Sequence, residues 1–316
     1  MQFRTIAQEL EKTKIKKDIK RGIENYFEKT GFSLIEPNTF QDYGDFINST
    51  ANPDLAKTVK VLGGESKIYV LRPDITTNIL SQIFAKWDGK KPLKVYYNSK
   101  IYRNESRGKI AEDYQMGIES LGDNQINGDR EIVEMALNLM SKVDEKYILE
   151  LGSSSYLDSF FKERKLAVSD EQAIKKLISR KNRDGLEEKL KSLKLENTML
   201  MNLLDMQGSM EKVITLAKTY EANKEMQKAI RSLESLNEYF FDKGVADTIK
   251  VDLSMVPDLD YYDGIIFKGY CSNKPTKILS GGRYDKSTEK YGLTVSAIGF
   301  MIDMNVVTEI RMEGGN

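Results

Sequence analysis

The chain has 316 residues, is 40% hydrophobic and 30% charged, and balances 48 Lys+Arg against 48 Asp+Glu. Those values fit a globular protein of one large domain, or a domain carrying an insertion, and exclude a disordered chain. A net charge of zero supplies no global positive field for nucleic acid, although a local basic patch is compatible with it. Cys271 is the single cysteine, so no intrachain disulfide can form and a cysteine-based metal cluster is not expected. It reads as a small apolar residue rather than a nucleophile. There is no histidine, which removes histidine triads, histidine acid–base catalysis and histidine metal ligands. Met1-Gln2-Phe3-Arg4 lacks the apolar core of a signal peptide, and no stretch has the apolar length of a membrane span. A reducing, cytoplasmic location is expected, with no metal and no cofactor.

In chain order, residues 5–30 predict an amphipathic helix. Ile15, Ile19, Ile23, Tyr26 and Phe27 keep helical spacing, and Gly31 stops it. Phe32–Pro37 predicts a short strand, with Pro37 at its end or on an edge. Residues 66–72 and 94–103 predict strands, as does Gln115–Leu121. Glu131–Met140 predicts a helix with Ile132, Met135, Ala136 and Leu139 on one face, and Lys146–Leu151 another strand. No proline occurs between Pro92 and Pro257. The proline-free stretch 156–244, rich in Lys, Glu, Leu and Met, predicts a helical insertion between two parts of a sheet domain. Ser169 and Gln172 have the spacing of a capping box. Met199, Met201, Met206 and Met210 form a stripe that serves either as an adaptable binding surface or, more simply, as core filler. Residues 248–254, 261–268 and 275–280 predict strands, and 295–310 a buried helix. The expected domains are therefore 1–155 with 245–316, and the insertion 156–244. Helices and strands mix without a repeating β-α unit, so the fold class is α+β, an antiparallel sheet with flanking helices.

Four segments carry chemistry. The first is Gly31-Phe32-Ser33-Leu34-Ile35-Glu36-Pro37, with Phe40 and Phe46 beyond it. The second is Leu71-Arg72-Pro73-Asp74-Ile75-Thr76-Thr77. Asp74 is either a helix cap or the carboxylate partner that an ammonium ligand requires. The third joins Tyr102-Arg103-Asn104-Glu105 to Gly108–Glu119, two strands and a loop, in which Gln115, Gly117 and Glu119 point one way at period-two spacing. The fourth pairs Leu259–Phe267, containing Asp260-Tyr261-Tyr262-Asp263-Gly264, with Ser280-Gly281-Gly282-Arg283-Tyr284-Asp285. The glycine pair alone reads as a turn.

Together these segments resemble the class II aminoacyl-tRNA synthetases, and within them the histidyl-tRNA synthetases, over about residues 5–155 and 245–310. The resemblance implies that Asp74 and Thr76 hold the ammonium of a bound amino acid. Gln115, Glu119, Tyr261 and Tyr262 would surround the rest, with Glu119 accepting an imidazole N–H. It also implies that Arg103 occupies the position of an α-phosphate ligand. Here Arg103 is either an anion-binding residue or a brace for Glu105. Several positions depart from the pattern. Ile75 stands for a glycine and Ala111 for an arginine. Pro257-Asp258 stands for the Arg-Gly before Leu-Asp-Tyr-Tyr. Asp303, Asn305 and Val306 stand for the Gly, Glu and Arg of motif 3, whose helix is matched to Ser296–Asp303. The loop between Glu105 and Gly108 is short. The synthetases' anticodon-binding domain has no counterpart in the matched segments.

Adenylation needs preorganised cations around the phosphates. A pocket without them, but with its amino-acid side kept, resembles the regulatory subunits of short-form ATP phosphoribosyltransferase, a paralogue group of the histidyl synthetases. That resemblance implies no catalysis by this chain. It implies activation of a short catalytic subunit and feedback by L-histidine at the first step of histidine biosynthesis. It also implies a homodimer within a hetero-oligomer, without tRNA or membrane. Two alternatives remain at this level: an active synthetase-like ligase, and a dimeric interaction module with a vestigial pocket.

Overall fold

A computed structural model describes residues 5–49, 53–220, 223–271 and 274–313. In chain order the first elements are α1 (Ile6–Lys29), β1 (Ser33–Leu34), β2 (Phe40–Asp42), α2 (Tyr43–Ser49), β3 (Lys60–Leu62), β4 (Ile68–Leu71) and α3 (Thr76–Phe84). Next come β5 (Leu93–Asn104), β6 (Ile110–Leu121), α4 (Gln125–Val143), β7 (Tyr147–Ser153), α5 (Ser154–Arg164), α6 (Val168–Ser179) and α7 (Arg183–Ser192). Then follow β8 (Gln207–Gly208), α8 (Met210–Ala217), α9 (Lys224–Asp242), β9 (Ile249–Asp252), β10 (Ile265–Cys271) and β11 (Lys274–Arg283). The last two are β12 (Ala297–Asp303) and α10 (Met304–Glu313). The chain divides into two compact units, one of residues 1–123, 141–143 and 288–316, the other of 124–140 and 144–287.

In the first unit α1 opens on a capping box: the Thr5 hydroxyl accepts from Gln8 N, and the Gln8 side chain accepts from Thr5 N. Ile23 and Phe27 are its buried residues. Phe27 sits 5.6 Å from the Tyr96 ring and 6.2 Å from Phe300, which seats the helix on one face of the strands. The strands run in the order β1-β5-β6-β12. β1 is parallel to β5, while β5, β6 and β12 are antiparallel. A second, small antiparallel sheet has the order β2-β4-β3. Arg72, 5% exposed, ties these parts together: its guanidinium donates to the carbonyls of Lys100 and Pro37, each at 2.6 Å.

The expected buried helix over 295–310 is a correction. Ala297–Asp303 is a strand that pairs with β6 from Ala297↔Leu121 to Asp303↔Gln115, and the helix starts only at Met304. The run Ala297–Ile302 is apolar on both faces, a pattern that a central strand and a buried helix share. The motif 3 match to Ser296–Asp303 therefore falls on a strand.

In the second unit the strand order is β11-β10-β7-β9-β8, antiparallel except for β7 with β9. Helix α5 packs against β10, and α9 packs on α5 and α8. Phe160 and Phe161 come from α5, and Met226, Ile230, Leu233, Leu236 and Phe240 come from α9 at helical spacing. The helical run 156–244 lies wholly in this unit, with Lys181 donating to Asp252 at 2.6 Å. The Ser169 capping box is also a correction. Helix α6 already begins at Val168, its N-cap is Ala167, and no side chain caps it. Met199, Met206 and Met210 are at most 3% exposed, so that part of the stripe is core filler. The strand predicted over 261–268 starts only at Ile265. Cys271 is buried, and burial together with Asp144 pushes its thiol up to about 12, which suits a packing residue.

Candidate functional site

The site in the first unit is built on β6. Alternation puts Gln115, Gly117 and Glu119 on one face. The register sets Ser99, Tyr97 and Val95 of β5 beside them on one side, and Asp303, Met301 and Gly299 of β12 on the other. Both glycines are required by close approach. A Cβ at Gly299 would run into the Glu119 carboxylate and the Ile118 carbonyl. A Cβ at Gly117 would meet the Phe300 carbonyl and the Tyr97 hydroxyl. The slot left at Gly299 is filled by the carboxylate of Glu119, which is 2% exposed.

A carboxylate buried so deeply needs donors. One is Thr76, the first residue of α3, whose hydroxyl donates to Glu119 Oε1 at 2.6 Å. Asp74 stands just before that helix. Its Oδ2 accepts from the backbone N–H and the hydroxyl of Thr77, each at 2.8 Å, so the capping role is fulfilled. Among the described residues its Oδ1 makes no hydrogen bond. The structure thus joins Thr76 to Glu119 directly and places Asp74 at the same helix start. Gln115 is half-buried on the shared face of β6. Arg103 Nη2 donates to the Pro73 carbonyl at 3.0 Å, bracing the turn that carries Asp74.

Sequence reading singled out nothing between Lys286 and Val295, yet the fold carries Tyr291 of that segment to α3. The Tyr291 ring stacks on Phe84 of α3 at 4.9 Å and 2°. Burial, with Asp74 adding to it, pushes its phenol up to about 12. Burial lowers the Lys290 ammonium, and Asp74 opposes the shift. The Tyr291 hydroxyl is buried, with no hydrogen-bond partner among the described residues. No motif marks the segment, and only the fold brings it to α3.

Tyr261 and Tyr262 belong to the second unit. Their ring centroids are 4.8 Å apart, and Tyr261 meets the buried Tyr284 edge-on at 5.7 Å. The Gly281-Gly282 pair is strand rather than turn. Gly282 pairs with Ile266, and a Cβ there would meet the Ile265 carbonyl at 2.7 Å and the Tyr262 ring at 2.8 Å. Arg283 is 5% exposed and fully engaged. It donates to Asp129 at 2.6 and 2.9 Å, to Asp285 at 2.8 Å and to the Gln125 carbonyl at 3.0 Å. Burial pushes the Asp129 carboxyl up to about 6 against the pull of Arg283. Asp263 accepts from the backbone N–H groups of Asp285 and Lys286, fixing the turn.

The departures from the synthetase pattern have structural occupants. Asp258 accepts from Lys268 at 3.0 Å and from Lys277 at 2.6 Å. Burial would raise its carboxyl, but the two lysines outweigh that and hold it below its ordinary value. Asp303 caps α10 by accepting from Asn305 N and Val306 N at 2.8 and 3.0 Å. Among the described residues no group of His, Cys, Asp and Glu could hold a metal, and no helix is long and apolar enough to cross a membrane.

The antiparallel strands, the Arg72 brace and the Glu119 slot define a scaffold of the class II synthetase type. The family model described as histidyl-tRNA synthetase matches residues 8–307. A curated relative from Clostridium novyi, an ATP phosphoribosyltransferase regulatory subunit, is 32% identical over 93% of this chain and 72% of its own length. A solved chain from Bacillus halodurans, titled as an ATP phosphoribosyltransferase regulatory subunit/histidyl-tRNA synthetase, superposes with a TM-score of 0.83. It is 27% identical, and the match covers 94% of this chain and 79% of that one. A chain from an ATP phosphoribosyltransferase complex of Thermotoga maritima has a TM-score of 0.71 at 18% identity, covering 92% and 97%, and supports the fold alone. Within the histidyl-tRNA synthetase family, the chain belongs to the ATP phosphoribosyltransferase regulatory subunits.

Proposed function

We propose that this chain assembles with a short catalytic ATP phosphoribosyltransferase chain, activates it, and carries feedback by L-histidine. The observation that carries the reading is the contrast around one scaffold. Glu119 is held ready by Thr76, and Asp74 keeps one oxygen uncommitted. Pro257 and Val306, meanwhile, occupy positions where the synthetase pattern has phosphate-binding arginines. An imidazole N–H would donate to Glu119, and the ligand's ammonium would sit against Asp74. Arg103, which donates to the Pro73 carbonyl, would take the ligand's carboxylate. Histidine would act by binding one arrangement of the assembly better than the other. A homodimer inside a hetero-oligomer, in the cytoplasm, completes the proposal.

The deciding experiment is co-expression with a short catalytic chain. Co-purification, a raised phosphoribosyl-transfer rate and inhibition of that rate by L-histidine are expected. A catalytic chain that runs equally fast without this protein would overturn the reading. One observation favours a second reading, since the solved Bacillus halodurans relative carries both names. Histidine-dependent ATP–pyrophosphate exchange would establish that ligase activity, and the missing arginines predict that none is measured.

A further inference from the structure

Arg130 of α4 is a half-buried guanidinium held in place without an acid. It lies 5.2 Å from the centre of the Tyr239 ring of α9. Its Nη2 donates to the Ser235 hydroxyl at 2.8 Å and to the Ser235 carbonyl at 3.5 Å. No carboxylate of the described residues pairs with it. Nε is buried with no hydrogen-bond partner among the described residues. Nη1 has no partner among them either, yet it is not closed off from solvent as Nε is. The ring and Ser235 thus fix one side of the fork and leave its Nη1 end accessible.

The nearby acid Glu134 is already engaged. One turn further along α4, it accepts from the Tyr239 hydroxyl at 2.7 Å and from Lys243 at 2.6 Å. A partly desolvated cation without a counter-charge is unfavourable for the chain alone. A fixed, planar fork suits an acceptor with two oxygens, a carboxylate or a phosphate. Glu131 and Glu134 stand within one turn of Arg130 on α4, and like charge disfavours a dianionic phosphate there. A single carboxylate brings less charge and matches the fork. A two-fold contact centred on this surface would set Arg130 against its own copy, so the carboxylate belongs to a different chain.

We propose that Arg130 is an interface residue, taking an aspartate or glutamate side chain of the short catalytic chain at the surface of α4 and α9. This inference rests on the assembly reading above and deepens it by naming one contact and its chemistry. Ser235 and Tyr239 are positioning residues, which orient the guanidinium before the partner arrives.

The test is calorimetric titration of the short catalytic chain into the full chain and its Arg130→Met and Arg130→Lys variants, with thermal melts and light scattering of each protein. Arg130→Met keeps an apolar stem against Tyr239 and removes the fork. It is expected to weaken binding at least about tenfold, as truncation of one member of an interfacial charge pair does. Arg130→Lys keeps the charge without the fork and should fall between the two. Melting points and the homodimer should be unchanged. Equal affinity of the parent and Arg130→Met would overturn the inference and leave the assembly intact. A lowered melting point in Arg130→Met would assign Arg130 to the fold, and a lost homodimer would assign it to a self-contact; either result overturns the inference too. No binding by the parent would remove the assembly reading itself, and this inference with it.

Discussion

In the first unit, among the described residues, one oxygen of Asp74 makes no hydrogen bond and the buried Tyr291 hydroxyl has no partner. In the second, Arg283 directs its donors to Asp129, Asp285 and the Gln125 carbonyl, and Asp258 is clasped by two lysines. Asp74 and Arg283 come from family signatures, whereas Asp258 stands where the signature differs and Tyr291 belongs to no motif. The first set keeps acceptors unengaged among the described residues, whereas the second is consumed by the fold. A signature arginine or aspartate is therefore not evidence of a ligand until its partners are known. Buried charges that find partners inside the chain hold the scaffold, and those left with spare acceptors are the candidates for binding.

The comparison breaks most sharply at Arg283. Arg283→Met would leave Asp129, 7% exposed, without its cation. We expect a loss of about 3–5 kcal/mol in urea denaturation. A variant as stable as the parent would show that the network is not structural. In the first unit Thr76→Val keeps the shape of the side chain but strips Glu119 of a donor. A loss of about 1–3 kcal/mol is expected, with histidine binding weakened as well. Unchanged values of both would remove Thr76 from the site. The smallest effect lies at Asp258. Its carboxyl is held below the ordinary 3.8 in the folded chain. The unfolded chain thus binds the proton more readily, and this contribution is present above about pH 4 and lost as pH falls through the lower folded value. Urea midpoints taken from neutral to acid pH should fall less steeply for Asp258→Asn than for the parent. Identical slopes would show that the lysine clasp contributes nothing.

Much of the first unit was legible. The helix at 5–30 and the strands at 94–103 and 115–121 follow from periodicity and punctuation alone, whereas Gln115, Gly117 and Glu119 were picked out by the family motif. Ala297–Asp303 was misread because a strand buried on both faces alternates nothing. Ser169 misled because the helix had already begun at Val168, one residue before the apparent cap. The match of Asp74, Thr76 and Glu119 to one amino-acid site came from family motifs; the structure shows that Thr76 donates to Glu119. Tyr291 left no trace, because its significance depends on stacking with Phe84 from a distant part of the chain.

The glycine at 299 has a consequence for inheritance. The Glu119 carboxylate occupies the volume that a methyl group at 299 would need. The two positions are therefore not free to change one at a time. A descendant that gained alanine at 299 would be driven to move or give up the acid at 119. Drift at 299 would in this way remove an acid to which the proposed function assigns a role.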